Sequence, residues 1–109
     1  MKTSQACPVQ TTVDVIGGKW KPGIVFRLQN RTYRFSALKR EMPWISERVL
    51  IRQLKELEAD GVVTRKDCRK VPPRVEYALS DYGQTLRPLL REVAAWGEAH
   101  LQRAAPTPN

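Results

Sequence analysis

Histidine and cysteine are scarce in this chain of 109 residues, which carries one histidine, His100, and two cysteines, Cys7 and Cys68. So small a set of donors does not assemble a tetrahedral zinc site, and neither a metal nor another cofactor is expected. Two cysteines are also too few for the disulfide framework that holds small secreted domains together. No apolar run approaches the roughly 18 residues that a membrane span needs. The first residues lack the apolar core of a signal peptide, so a cytoplasmic location is expected. Catalytic groupings are missing too. No serine, histidine and carboxylate set stands out, and His100 sits close to the tail, so an enzyme is not expected. Gly17-Gly18-Lys19-Trp20 has the wrong spacing for a phosphate-binding loop and follows a helical segment rather than a strand. It reads as a helix break with Trp20 packed into the core.

What the chain has in excess is positive charge. Nineteen Lys and Arg stand against eleven Asp and Glu, a formal net charge of +8. Residues 1–79 hold 16 bases and eight acids, whereas Ser80 onward holds three of each. A polyanion such as nucleic acid suits the first region and not the second. The length points to one domain over residues 1–109 with a single modest core.

Residues 1–6 and 104–109 are expected to be disordered. Pro8 suits the first position of a helix, and Val9, Thr12, Val13 and Ile16 recur at the spacing of an amphipathic one. Gly17-Gly18 stops it. Pro22 fits the first turn of a second helix that buries Ile24, Val25 and Leu28 and ends at Asn30. Thr32-Tyr33-Arg34 reads as a short strand. Ser36 is expected to cap a third helix, with Leu38 inward and Pro43 as its stop. Trp44, beside that proline, is placed in the core.

The best-signalled helix follows. Ser46 caps it, Val49, Leu50, Leu54 and Leu57 repeat on one face, and Gly61 suits the left-handed position beyond its end. Val62-Val63-Thr64 and Val75–Leu79 read as strands. The loop between them, Arg65–Arg74, carries five bases and one acid, and Pro72-Pro73 disfavours regular pairing. Ser80 or Asp81 then caps a long final helix to about Leu101, with Leu86, Leu89 or Leu90, Val93 and Trp96 along one side.

The resulting fold class is mainly α with a small β-hairpin, an α+β winged helix-turn-helix. A helix of about 10–12 Å diameter fits a major groove about 12 Å wide, provided its inner face is apolar and its outer face polar. Helix 46–59 meets both demands, with Glu47, Arg48, Ile51, Arg52 and Lys55 outward. Arg48 and Arg52, in its N-terminal part, are the base-reading candidates. Arg69 and Lys70 of the basic loop are expected along the backbone or in the minor groove. Arg34, Ser36, Ser46 and Arg74 complete the expected DNA-binding set. Double-stranded DNA is thus the expected partner. The competing reading is a winged-helix protein-interaction module that never touches DNA, and the clustered charge argues against it.

Several blocks also resemble the HxlR family of bacterial transcriptional regulators. They include Cys7-Pro8, Ile16-Gly17-Gly18-Lys19-Trp20, Arg34-Phe35-Ser36-Ala37-Leu38 and Ile45-Ser46-Glu47-Arg48-Val49-Leu50. Leu54–Val63, Val71–Tyr77, Leu79-Ser80-Asp81-Tyr82-Gly83 and Ala95-Trp96-Gly97 extend the likeness over Cys7 to about His100. The resemblance implies a winged-helix homodimer, joined through N- and C-terminal dimerisation helices, that represses or activates transcription. It also implies a candidate redox-sensing residue, because some relatives sense quinones, aldehydes or oxidants through the cysteine matching Cys7. The chain departs from the family at Ile51, where relatives often carry Thr or Ser.

From the residues alone, Cys7 is either an inert thiol near a chain end or a reactive one, since a helix N-terminus favours the thiolate. Cys68, among five bases, reads as a lone surface thiol. Tyr82 and Trp96 either pack within the monomer or line a dimer seam or effector pocket. The seam is favoured, because a helix of about twenty residues exceeds what so small a core covers.

Overall fold

A computed structural model describes residues 7–69 and 72–104. Five helices and a three-stranded sheet follow in the order α1 (Pro8–Ile16), α2 (Lys21–Leu28), β1 (Tyr33–Arg34), α3 (Phe35–Glu41), α4 (Glu47–Ala59), β2 (Val63–Cys68), β3 (Arg74–Leu79) and α5 (Arg87–Ala104). A 3-10 turn, Gly83–Leu86, leads into α5. The sheet is antiparallel in the order β1-β3-β2, with Tyr33 opposite Tyr77 and Val63 opposite Leu79. This is the expected fold class, a small sheet embedded in helices.

The core forms where apolar stripes of α2, α3 and α4 meet the sheet. Ile24, Val25, Leu28, Leu38, Leu50, Leu54, Leu57, Val62, Val63, Tyr77 and Leu79 are all buried. In α4 the buried residues fall at intervals of four and three, so a single face of the helix carries its hold on the domain. Truncating any of these three leucines to alanine removes apolar burial and leaves a cavity, at about 2–5 kcal/mol each. Ser46 begins α4 as expected, its Oγ accepting from the Val49 N–H at 3.2 Å. Gly61, at φ +79°, closes it where a side chain would be strained.

Several expectations need correction. Ser36 does not cap α3; Arg34 holds the cap position and Ser36 lies in the first turn, because pairing of β1 with β3 delivers the chain into the helix one residue after the strand. The strand expected at 62–64 runs from Val63 to Cys68. Its pairing with β3 continues to Cys68 opposite Arg74, so Arg65–Cys68 are strand rather than loop. Trp44 is exposed at 61 %, since Met42 and Ile45 already fill the turn between α3 and α4. The final helix does not begin at Ser80. Ser80 Oγ accepts from the Gly83 N–H at 2.8 Å across the turn that precedes the 3-10 segment, whose cap position is held by Tyr82, and α5 starts only at Arg87. Ala104, expected in the tail, is the last residue of α5; residues 1–6 and 105–109 lie outside the described residues.

The apolar stripes of the terminal helices are only partly used. On α1, Ile16 is buried while Val9 and Val13 face solvent. On α5, Leu90 is buried, whereas Leu89, Val93, Trp96 and Leu101 are exposed. Leu89, Val93 and Trp96 follow at intervals of four and three, a second stripe beside the one that holds α5 to the core. Among the described residues, no helix is long and apolar enough to cross a membrane.

Candidate nucleic-acid interface

The outer face of α4 is the best-defined polar surface of the domain. Glu47, Arg48, Ile51, Arg52, Lys55 and Glu58 are exposed on it, opposite the three buried leucines. Arg48, Arg52 and Lys55 form no ion pair among the described residues. Most other acids near the core are already engaged. Glu41 accepts from the Tyr33 hydroxyl at 3.0 Å and pairs with Arg27 at 3.3 Å and Arg31 at 3.5 Å. Burial, followed by the Glu41 hydrogen bond, pushes the Tyr33 hydroxyl up from its ordinary pKa.

Between α4 and the hairpin runs a groove of about 740 Å³. Ile51, Lys55 and Glu58 form one wall, Arg65, Pro72, Pro73, Arg74 and Val75 the other, with Arg34, Phe35, Ser36 and Tyr77 between them. The Phe35 and Tyr77 rings meet at a centroid separation of 6.5 Å and tie α3 to the sheet. Five of the expected site residues, Arg34, Ser36, Ile51, Lys55 and Arg74, thus converge on one concavity. Arg48 and Arg52 lie on the flank of α4 beside it. Arg69 is exposed just past β2; Lys70 lies outside the described residues.

Two details modify the sequence picture. Arg74 Nε lies 2.7 Å from Glu76 Oε2, so its charge is partly neutralised within the sheet. That hydrogen bond, with Arg74, Lys66 and Arg34 nearby, holds the Glu76 carboxyl below its ordinary pKa. Arg65 was not among the expected site residues, yet it enters the groove. Its signal was present in the sequence as one of five bases in a supposed loop; only the extension of β2, which places it opposite Tyr77, gives it a fixed direction.

Cys7 is exposed and occupies the N-cap position of α1, where its carbonyl accepts from the Thr11 N–H at 2.8 Å. Cys68 is half-buried at the end of β2, opposite Arg74.

A short helix, a turn, a helix anchored by its apolar side that turns Arg48, Arg52 and Lys55 to solvent, and a basic two-stranded wing define a winged helix-turn-helix, the DNA-binding fold of a transcriptional regulator. Residues 15–105 match the HxlR-like helix-turn-helix family, and the chain belongs to it. It is 50 % identical over 95 residues to the uncharacterized HTH-type transcriptional regulator YtcD of Bacillus subtilis, covering 87 % of this chain and 75 % of the relative. YdeP of the same organism, also an uncharacterized HTH-type transcriptional regulator, is 43 % identical over 99 residues, 91 % of this chain and 77 % of the relative. The solved structure of the redox regulator HypR in its oxidized form superposes with a TM-score of 0.81 at 46 % identity, covering 85 % of this chain and 96 % of that one.

Proposed function

We propose that this chain regulates transcription as an isologous homodimer whose two α4 helices enter the major groove of a roughly palindromic operator. One observation carries the reading. Among the described residues Arg48, Arg52 and Lys55 form no ion pair, and they stand on the exposed face of a helix whose other face is locked into the core, beside a groove edged by Arg34, Arg65 and Arg74. Cations on that exposed face are available to release counterions from phosphates and to meet base edges.

Within this reading Arg48 and Arg52 read bases. Arg34, Ser36, Lys55, Arg69, Lys70 and Arg74 follow the phosphate backbone, and Ile51 faces the groove floor. Ser46 spends its oxygen on the helix cap and keeps its hydroxyl hydrogen to donate to a phosphate. The dimer is supported by the exposed stripe Leu89, Val93 and Trp96 on α5 and by Val9 and Val13 on α1. A second copy covers these groups most economically, and its symmetry sets half-sites one helical turn, about 34–36 Å, apart.

Regulation by oxidants or electrophiles at Cys7 is supported by its exposed place at the start of α1 and by the likeness to HypR. A gel-shift titration against duplex DNA at rising salt tests the binding itself: retardation that weakens steeply with salt is expected. Absence of any shift at low salt contradicts the proposal.

A further inference from the structure

We infer that Ile51 is a specificity-determining residue that recognises the C5-methyl group of a thymine in the major groove. The inference deepens the DNA-binding reading and rests on it. Every other exposed residue of α4 is charged or an alanine, whereas Ile51 is a large β-branched apolar side chain, 37 % exposed. It lies one turn after Arg48 and one turn before Lys55, in the middle of the face that carries the exposed cations. The core does not take it up: with Lys55 it lines one wall of an open groove whose other wall is the wing, so the side chain remains accessible from outside. Water is a poor partner for such a group, and so are phosphates.

The major-groove edge of a base pair offers one apolar feature, the thymine methyl. Isoleucine has no hydrogen-bonding atom, so it distinguishes thymine from the other bases by contact and by refusing to satisfy their donors and acceptors. Arg48 and Arg52 at neighbouring positions supply the polar contacts that fix the register. Glu58, two turns further on and in the same groove wall, places a carboxylate beyond Lys55, where it disfavours approach of the anionic backbone to the last turn of α4. The readout therefore falls on the half of the helix that contains Ile51.

The test uses the full chain and the duplex recovered by selection from a random library. Each thymine is replaced in turn by deoxyuridine, which removes the methyl group and leaves the hydrogen-bonding edge intact. One position per half-site is expected to lose about fourfold in affinity per methyl removed, the value of one buried methyl-sized group. With Ile51→Ala and Ile51→Ser the thymine and deoxyuridine duplexes are expected to bind equally, while the salt dependence stays that of the unaltered chain. Indifference of the unaltered chain to every deoxyuridine, or retained discrimination in Ile51→Ala, overturns the assignment of Ile51 and leaves DNA binding standing. Failure to bind any duplex at low salt overturns both.

Discussion

The ammonium of Lys21, on a side chain otherwise sunk into the domain, lies 2.6 Å from the Glu56 carboxylate and joins α2 to α4. A charge at a buried position is tolerated only where a partner and water meet it, and Lys21 reaches both by threading its stem through apolar surroundings to the rim. The pair adds a polar tie at the rim to the leucine face that holds α4 and directs Arg48, Arg52 and Lys55 outward.

The hydrogen bond from Lys21 holds the Glu56 carboxyl below its ordinary value, with Arg52 adding to the effect. A lowered folded-state value means that the pair's stabilisation is complete above the ordinary carboxylate range and is lost as the pH falls through the folded value. Glu56 is half-exposed, so the amount is under about 1 kcal/mol. Urea titrations are expected to show Glu56→Gln slightly less stable at pH 7 and nearly equal to the unaltered chain in strong acid. A gap that stays constant with pH shows that the carboxylate charge is not what matters.

Gly83 provides a backbone prediction. A Cβ at this position would fall on the Val62 carbonyl oxygen, a main-chain atom that also accepts from the Ser80 N–H at 3.0 Å. Gly83→Ala is expected to destabilise by about 1–3 kcal/mol through overpacking, where most exposed glycines tolerate alanine. Thermal or urea unfolding checks it.

Much of this architecture was legible in the chain. The α4 face was written in Leu50, Leu54 and Leu57, and its boundaries in Ser46 and Gly61, because local capping chemistry and periodicity agree there. The wing was underestimated: Arg65, Lys66 and Asp67 have poor strand character, and only pairing with β3 extends β2 through them. That error hid Arg65 from the candidate site. Trp44 was misplaced because apolar size says nothing about which neighbours have already filled the core. The α1 stripe and the Leu89, Val93 and Trp96 stripe of α5 are helical as their spacing implies, while Leu86 falls in the 3-10 turn before α5; an apolar stripe does not reveal whether its cover comes from the same chain.

The proposed dimerisation through Leu89, Val93 and Trp96 of α5 is open to direct mutation. Val93→Asp, alone or with Trp96→Ser, is expected to give a folded monomer in sedimentation equilibrium at micromolar concentration, with unchanged far-ultraviolet circular dichroism. Trp96 stacks on His100 at 5.1 Å within α5, so loss of that pair alone leaves the helix intact. A dimer that persists in both variants places the seam elsewhere.

A thiol switch at Cys7 predicts a residue-specific response. Diamide or a quinone is expected to lower operator affinity of the unaltered chain by at least tenfold, and Cys7→Ser to be unresponsive. In the proposed dimer, covalent modification at the start of α1 would act on the recognition helices by shifting the balance between competent and incompetent dimers. An equal response in Cys7→Ser moves the switch away from this residue.

The use of α4 as the recognition helix is tested most directly by titrating Arg52→Ala and Arg65→Ala against the selected operator and against unrelated duplex, across a range of salt. Arg52→Ala is expected to lose about 1–3 kcal/mol on the operator and to relax preference at one base pair, whereas Arg65→Ala weakens both duplexes alike and shallows the salt slope by about one unit. If Arg52→Ala keeps both its affinity and its sequence preference, α4 does not read the major groove.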